Sequence, residues 1–410
     1  MADFVKKILF YLQPQTIRNN PLAFEWIFLK YILLSNGFIK QNFQTAFLTD
    51  NSIKKKYINK NLNHFSPSDF GIAFCGTDWP AYWVDILTDE HIEEKDNLLN
   101  ALYAVYKFDI VICWNYDATL NRFCKEKKIP TIYQELGLIR NPILYQMDFN
   151  GLLWKSSLPR AYKKFRDILS FNSLRLNTFL QAYKAQVRIK KSEIISKLDF
   201  ASQKPILLIP LQVEDDSNIM VGSPFKKMAD FVNFCLNRIK DIDRFSIIVK
   251  KHPVQPDVVF DAIPSVVILS TEIDNLSLIN IADYIITINS SMGFEGLCFG
   301  KKVLTFGKSP YNGIGFTIDL DISSRCCLND YDEFFKSLYT DKLNDLKQFL
   351  SFAIFNYHLT ANDALNPSYY IDLFYSLYKA ADIDRIYLER NTQKSSIASG
   401  GNHQIRKDDH

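Results

Sequence analysis

Four short segments carry side chains that could do chemistry, and each follows a predicted apolar strand. They contain, in chain order, Glu135; Asp215 and Asp216; His252; and Ser290 with Ser291. Carboxylates can act as nucleophiles or bases. Serine hydroxyls before a helix, together with the free N–H groups of its first turn, can bind an anion. Because open α/β sheets bind ligands at the carboxyl ends of their strands, the four segments predict one ligand site.

Each segment taken alone also has an ordinary explanation. His252-Pro253 is typical of a turn, and Ser290 before an apolar helix is typical of an N-cap. The two aspartates could lie in a solvated turn, and Glu135 could form half of a surface ion pair. The joint occurrence of all four at predicted strand ends favours a functional site.

Two series of alternating strands and helices must position these segments. In the first, residues 108–135 predict a strand–helix–strand unit, with further strands at 7–12 and 70–74 and a helix at 22–34. The second series predicts strands at 205–210, 245–250, 266–269, 284–288 and 302–306, with helices between them. Such alternation builds parallel sheets, so the predicted fold is α/β, with two Rossmann-like domains facing a cleft.

The predicted domain limits follow from these series and from a change in composition between them. Residues 1–200 form the first domain, and within it residues 151–197 are helical and rich in lysine and arginine. Residues 201–385 form the second domain, and 386–410 form a polar tail or linker. A length of 410 residues fits two domains.

Composition and charge exclude several classes of protein. The chain has 48 basic and 45 acidic residues, a balance that argues against nucleic-acid binding. Its seven cysteines lack CxxC spacing, which favours a reducing cytoplasm over a disulfide framework or a zinc site. No uninterrupted apolar run reaches about 18 residues, so we expect a soluble protein that at most associates with a membrane surface.

The common cofactor and hydrolase motifs are missing from the sequence. GxGxxG, HExxH and GxSxG do not occur, and Gly296–Lys302 is one residue short of a phosphate loop. Asp-x-Asp occurs at 241/243, 319/321, 330/332 and 382/384, which we interpret as solvated loop carboxylates. We therefore expect no metal and no nicotinamide cofactor.

The chemical segments resemble a known family. Ile209–Ser217, Lys251–Pro253 and Ile288–Val303 are similar to capsule-polysaccharide biosynthesis proteins that transfer β-Kdo, which share motifs with bacterial sialyltransferases. The resemblance covers about residues 108–310 and implies a metal-independent GT-B glycosyltransferase that uses CMP-Kdo. One departure matters: Gln134-Glu135-Leu136-Gly137 has one carboxylate where sialyltransferases carry a pair, which favours the Kdo version.

The resemblance also implies roles for individual residues. The nucleotide would be bound by His252, Ser290 and Ser291, with the remaining nucleotide-site residues Lys250, Lys251, Pro253, Gly293 and Glu295. Asp216, or equally Asp215, would be the nucleophile of a retaining reaction, and Glu135 the base for the acceptor hydroxyl. Substrate contacts would come from Arg140, Gln212 and Gly137. The partners would then be CMP-Kdo and a glycan or glycolipid acceptor, with no cofactor beyond this donor.

Three alternatives stay open at this point. The first is an inverting CMP-sialic acid transferase, or a transferase that uses a UDP- or GDP-sugar. The second is a polysaccharide assembly or export protein without catalysis on the same fold. The third concerns location: the basic segment 151–197 could rest on the anionic inner membrane, although a solvated helix surface explains it at least as well.

Overall fold

The computed structural model describes residues 6–14, 25–58, 60–74, 79–200, 203–259, 266–323, 327–380 and 382–390. Cys75, Cys326 and the predicted tail from residue 391 onward lie outside these residues. The strands are β1 (Lys7–Leu12), β2 (Gln44–Leu48), β3 (His64–Phe65), β4 (Ile110–Trp114), β5 (Thr131–Arg140), β6 (Ile143–Asp148), β7 (Ile206–Pro210), β8 (Ser246–Lys250), β9 (Val266–Leu269), β10 (Tyr284–Thr287), β11 (Lys302–Thr305), β12 (Ile318–Asp319) and β13 (His358–Thr360).

The α-helices of the described residues alternate with these strands in both halves of the chain. They are α1 (Glu25–Ile39), α2 (Asn51–Lys56), α3 (Trp79–Thr88), α4 (Glu93–Val105), α5 (Ala118–Lys127), α6 (Leu158–Phe165), α7 (Ser173–Lys184), α8 (Lys191–Lys197), α9 (Ser217–Met220), α10 (Met228–Arg238), α11 (Asn275–Ile281), α12 (Ser291–Cys298), α13 (Asp332–Thr340), α14 (Leu343–Phe352), α15 (Ala361–Ala364), α16 (Pro367–Lys379) and α17 (Ile386–Glu389). None of these helices is long and apolar enough to cross a membrane.

The first sheet has the strand order β3-β2-β1-β4-β5-β6-β13. Its first five strands are parallel, and β6 and β13 run antiparallel to their neighbours. Alternate residues of β4 face two different apolar clusters: Ile112 packs on the side of α1, and Val111 on the side of α4 and α5. Covering on both faces explains why β4 is apolar along its whole length.

The second sheet is entirely parallel, with the order β9-β8-β7-β10-β11-β12. This is the Rossmann strand order, in which the ligand crevice lies where the order reverses, between β7 and β10. Strands β7, β8 and β10 are buried along their length, as their largely apolar sequences predict. The prediction of two Rossmann-like α/β domains in the GT-B arrangement is confirmed.

The two domains touch at the carboxyl edges of their sheets. Trp83 of α3 donates a 2.9 Å hydrogen bond from its indole Nε1 to Ser217 Oγ, directly after the acidic segment. Met220 of α9 packs into the apolar cluster around Trp83. Helix α12 of the second domain packs against β5 of the first. The acidic segment and the elements that carry Glu135 and Ser291 therefore lie at or beside the domain interface.

The chain returns to the first domain after the second sheet is complete. Strand β13 pairs antiparallel with β6, and the Tyr370 hydroxyl on α16 accepts a 2.6 Å hydrogen bond from Gln134 Nε2 of β5. Pro367 lies against Gly37 of α1, where a larger residue would collide with its ring. The predicted division assigned residues 201–385 wholly to the second domain. It missed this return because the return can be seen only from the tertiary pairing of the strands.

Three local predictions also differ from the structure. Residues 70–74 form no strand: a 3₁₀-helix at Pro67–Phe70 ends at Gly71, whose φ of 67° breaks an extended run. The basic segment 151–197 is divided into α6, α7 and α8 rather than one long helix. Residues 386–389 are the helix α17, held by the buried Tyr387 and not a polar tail.

Candidate functional site

The acidic segment after β7 is shaped by its own carboxylates. Asp216 is the N-cap of α9, and its Oδ1 accepts hydrogen bonds from the backbone N and side-chain Nδ2 of Asn218, at 2.8 and 3.0 Å. These bonds fix the carboxylate while Oδ2 makes no hydrogen bond to the described residues. Asp215 and Asp216 are both partly exposed. The geometry thus leaves one oxygen of Asp216 available to a ligand.

The side chain of Asn289 connects three loops at the carboxyl edge of the second sheet. Its Oδ1 accepts from Gln212 Nε2 at 2.8 Å, and its Nδ2 donates to the carbonyls of Asn218 at 2.9 Å and Lys308 at 3.3 Å. The Gln212 Oε1 accepts in turn from the backbone N of Asn289, at 3.2 Å. The segment with Asp216 is thereby held against the segment that begins α12.

The histidine turn after β8 is tied to the same assembly. Gln255 pairs with His252 across this turn, and its Oε1 accepts a 2.8 Å hydrogen bond from the backbone N of Glu214. His252 Nδ1 accepts from the backbone N of Val254 at 3.2 Å. In the neutral ring the proton is therefore on Nε2, which makes that nitrogen a donor.

The start of α12 has the features of an anion site. Ser290 is the N-cap, and its Oγ accepts from the backbone N of Met292 at 3.2 Å, which leaves its hydroxyl proton free to donate. Ser291 is the first helical residue and is partly exposed. Partial positive charge at the helix N-terminus adds to these donors.

Gly293, predicted to contact the nucleotide, has a packing role instead. Its N–H donates to the carbonyl of Ser290 at 2.9 Å and is not available to a ligand. A Cβ atom there would collide with the hydroxyl of Tyr311, which itself donates a 2.6 Å hydrogen bond to the Ser290 carbonyl. Glycine is required because the tyrosine approaches the helix so closely.

The other residues beside His252 at the end of β8 differ in their burial. The Lys250 side chain is buried, and burial lowers its pKa although Glu272 and Asp274 oppose this effect. The Lys251 Nζ donates to the carbonyl of Pro256 at 2.9 Å, and Pro253 is exposed in the turn. Lys250, Lys251 and Pro253 therefore show no ligand contact of their own that would be separate from the His252 turn.

Glu135 lies where β5 extends beyond its parallel neighbour. Trp114, the last residue of β4, pairs with Gln134, and from Glu135 onward β5 pairs only with β6. Glu135 therefore lies at the carboxyl edge of the first sheet, as predicted, and is partly exposed. This is the edge that faces the second domain.

Gly137 follows on the same strand and serves packing rather than substrate contact. A Cβ atom at Gly137 would lie 2.6 Å from the carbonyl oxygen of Leu144 and 2.7 Å from the ring of His358. The buried His358 accepts a 2.9 Å hydrogen bond at Nε2 from the backbone N of Leu138, and burial lowers its pKa to about 4. This neutral histidine fixes the end of β5 to the returning chain.

Glu295 is buried at the domain interface and does not face a ligand through Oε1. That oxygen accepts a 2.6 Å hydrogen bond from the Tyr183 hydroxyl and a 3.4 Å one from the backbone N of Arg140. Burial raises the pKa of Glu295. The residue thus joins α7, β5 and α12, whereas the sequence suggested contact with ribose or base. The Arg140 side chain itself is exposed.

The most important difference between the predicted and the observed site is the pairing of Gln212 with Asn289. Gln212, expected to contact substrate, uses both side-chain atoms on Asn289. Asn289 lies within the motif segment Ile288–Val303, where its position does not indicate this role, and Trp83 carries no sequence signal. Among the described residues, no group of three or more histidine, cysteine or acidic side chains is placed to hold a metal ion.

Among known proteins, residues 161–357 match the family of capsule polysaccharide biosynthesis proteins. This matched region contains α12, the His252 turn and the Asp215-Asp216 segment. It does not contain Glu135 or Arg140, which lie in the first domain.

Curated relatives and solved structures give weaker likenesses. The capsule polysaccharide modification protein LipA of Neisseria meningitidis is 28% identical over 236 residues, covering 51% of this chain and 32% of LipA. The lipopolysaccharide-processing protein LpsZ of Rhizobium meliloti is 32% identical over 151 residues, covering 34% of this chain and 33% of LpsZ. The match thus spans about a third of the length of each relative.

A solved structure of Thermosulfurimonas dismutans KpsC, described as a beta Kdo 2,7 transferase, has a TM-score of 0.42 and 18% identity, covering 69% of this chain and 91% of that one. A likeness of this size carries no information about the substrates of the present chain. The family match and the residues of its motifs are the stronger findings. Over residues 161–357, this chain is similar to the family of capsule polysaccharide biosynthesis proteins.

Proposed function

We propose that the protein is a glycosyltransferase that moves Kdo from CMP-β-Kdo to a sugar acceptor in the synthesis of capsule or lipopolysaccharide O-antigen. The donor and the β-linked product are taken from the resemblance of the motif segments. One observation carries the proposal: Asn289 and Gln255 tie the Asp216 segment, the His252 turn and the start of α12 together at one sheet edge. The proposed acceptor is a glycan or glycolipid.

Binding of the donor phosphate follows from the hydrogen-bond donors at this edge. The Nε2–H of His252, the hydroxyls of Ser290 and Ser291 and the N-terminus of α12 are all able to stabilise negative charge. CMP leaves as a phosphate monoester, so this charge grows as the bond to the sugar breaks. The hydrogen-bond donors of the protein can stabilise this negative charge without a metal ion.

The two carboxylates complete a retaining mechanism in two displacements. In the first, Asp216 Oδ2 attacks the anomeric carbon C2 of Kdo, and the C2–O bond to the CMP phosphate breaks. In the second, Glu135 accepts the proton of the acceptor hydroxyl while its oxygen attacks C2 and releases Asp216. Arg140 would pair with the carboxylate of the sugar, since its guanidinium is exposed at the end of β5.

A donor screen tests the function as a whole. The protein is incubated with an acceptor glycan and CMP-Kdo, CMP-sialic acid or a UDP-sugar, and products are followed by mass spectrometry and by NMR of the anomeric centre. We expect turnover with CMP-Kdo only and retention of configuration. Turnover with CMP-sialic acid and inversion would favour the sialyltransferase alternative, and binding without turnover would favour an assembly protein.

Replacement of His252 by alanine is expected to weaken CMP binding about tenfold or more. Loss of a charge-assisted hydrogen bond to phosphate costs about 1.5–3 kcal/mol. Calorimetric titration with CMP measures the effect. His91→Ala is the control, because His91 is exposed beside α4 and far along the chain from the motif segments. Wild-type CMP affinity in His252→Ala would show that the histidine does not bind the phosphate.

Removal of divalent metal by EDTA is expected to leave transfer unchanged. The proposed site meets the phosphate charge with His252, Ser290, Ser291 and the helix N-terminus, so no metal is needed for charge stabilisation. Transfer is measured before and after dialysis against EDTA, and again after Mg²⁺ or Mn²⁺ is added. Activity that disappears on dialysis and returns with metal would refute the metal-independent mechanism.

A further inference from the structure

Helix α1 is apolar around most of its circumference, although one side of it is not covered by the described residues. Its fifteen residues contain only two charged side chains, Glu25 and Lys30. Six residues face inward and are buried, namely Ile27, Phe28, Tyr31, Leu34, Ser35 and Phe38. The outward side carries Trp26, Leu29 and Leu33, which are 41%, 44% and 61% exposed. A helix that is apolar on all sides is normally buried on all sides.

The surroundings of this outward side are strongly basic. Residues 25–60 contain six lysines (Lys30, Lys40, Lys54, Lys55, Lys56 and Lys60) but only two carboxylates, Glu25 and Asp50. Asp50 is buried as the N-cap of α2. Lys40, Lys55 and Lys60 are exposed. This stretch alone carries a larger positive charge than the net +3 of the whole chain.

The one carboxylate of α1 is already neutralised. Glu25 accepts hydrogen bonds from Lys56 Nζ at 2.9 Å and from the Tyr57 hydroxyl, and these bonds lower its pKa. The Tyr57 ring also packs on Phe28, which places the turn after α2 beside α1. Ile58, the next residue, is exposed. Apolar and cationic groups therefore lie next to each other at this end of α1, where Lys54 also pairs with Asp69.

This surface begins at the edge of the first sheet that faces the second domain. The ring of Trp26 contacts Trp114 edge-on, with centroids 5.3 Å apart, and Trp114 ends β4 beside Gln134 of β5. Lys30 lies over the rings of both Trp26 and Tyr145. A ligand held against the outward side of α1 would thus be close to the strand that carries Glu135.

We propose that the outward face of α1, formed by Trp26, Leu29 and Leu33 with the neighbouring lysines, binds the surface of an anionic lipid bilayer. Tryptophan and leucine insert at the headgroup boundary, and lysines add attraction to anionic headgroups. The positive charge of residues 25–60 favours an anionic membrane over a second copy of this chain as the binding partner, because two such faces would repel each other. The proposal goes beyond the transfer reaction and does not depend on which donor is used.

The basic segment 151–197 is a weaker candidate for this role. It contains more cations than residues 25–60, but its described residues present only two large exposed apolar side chains, Ile168 and Leu174, and these do not share one helix. Its exposed apolar residues Ile168 and Leu174 provide a matched control, since they are 72% and 74% exposed.

Sedimentation with lipid vesicles tests the assignment. The full chain is mixed with vesicles of phosphatidylcholine alone or with phosphatidylglycerol added, and the bound fraction is measured. We expect binding only with phosphatidylglycerol, and we expect Leu29→Glu/Leu33→Glu to weaken it about tenfold or more, because apolar area is replaced by negative charge. Ile168→Glu/Leu174→Glu should bind as the wild type does. All four positions are exposed, and circular dichroism checks that the variants are folded.

A second measurement locates the contact at Trp26. Brominated lipids quench tryptophans that lie at the headgroup boundary, so vesicle binding should reduce fluorescence in the wild type and markedly less in Trp26→Phe. The proposal is overturned if the wild type does not bind anionic vesicles, or if Leu29→Glu/Leu33→Glu binds them unchanged. It is equally overturned if light scattering shows a wild-type dimer that this variant converts to a monomer, since a second copy would then cover the face.

Discussion

Asp216→Asn is expected to abolish sugar transfer while CMP binds with wild-type affinity. The amide keeps the shape of the carboxylate, and its oxygen can still accept the capping hydrogen bond from Asn218. It cannot attack carbon, so the first displacement is lost, and we expect a fall in rate larger than about 10⁴-fold. Transfer from CMP-Kdo and calorimetric CMP binding measure the two properties separately.

The neighbouring carboxylate supplies the matched comparison. Asp215→Asn makes the same chemical change one residue away, in the same segment, and should retain transfer if Asp216 is the nucleophile. With the acceptor withheld, intact-protein mass spectrometry should detect a Kdo ester on the wild type and none on Asp216→Asn. Near-normal transfer by Asp216→Asn with loss in Asp215→Asn would exchange the two roles. An inverted product would exclude the covalent mechanism.

Glu135→Gln is expected to reduce transfer by about 10²–10⁴-fold, the usual cost of losing a general base. Glutamine cannot accept the proton of the acceptor hydroxyl, but Glu135 lies in the first domain and has no role in CMP binding in the proposed mechanism. Formation of the Kdo ester should therefore persist in this variant while its transfer to the acceptor slows. Quantitation of the ester by mass spectrometry distinguishes the second displacement from the first.

A distant glutamate controls for the effect of charge. Glu126→Gln removes a carboxylate that pairs with Arg122 on the exposed side of α5, and it should leave transfer unchanged. Loss of CMP binding in Glu135→Gln would show that the residue supports the structure of the cleft and is not a base. Wild-type transfer would show that another group accepts the proton.

The buried strands of the second sheet could be predicted well from the sequence. Strands such as Ile206–Pro210 and Tyr284–Thr287 are short, largely apolar runs, so the information that fixes them is local. The same holds for Ser290, because an N-cap is recognised from the residue itself and the helix that follows. Residues 70–74 are also largely apolar, but the left-handed Gly71 interrupts them.

Features that depend on distant parts of the chain could not be predicted in this way. Glu295 is expected at the nucleotide site, yet it accepts hydrogen bonds from Tyr183 and Arg140 across the domain interface. Gly137 is expected to contact the substrate, but its lack of a side chain accommodates His358, more than two hundred residues later. Gln212 has no local sign of its pairing with Asn289. Each of these roles is set by a partner that sequence spacing does not bring into view.

The return of the chain through β13 and α16 has a consequence for motion between the domains. The backbone crosses from one domain to the other twice, between β6 and β7 and again before β13. A single connection would allow one domain to swivel about it, whereas two separate connections leave rotation about the line between them as the easiest movement. We therefore expect any opening of the cleft to be a rotation about the line between the two connections.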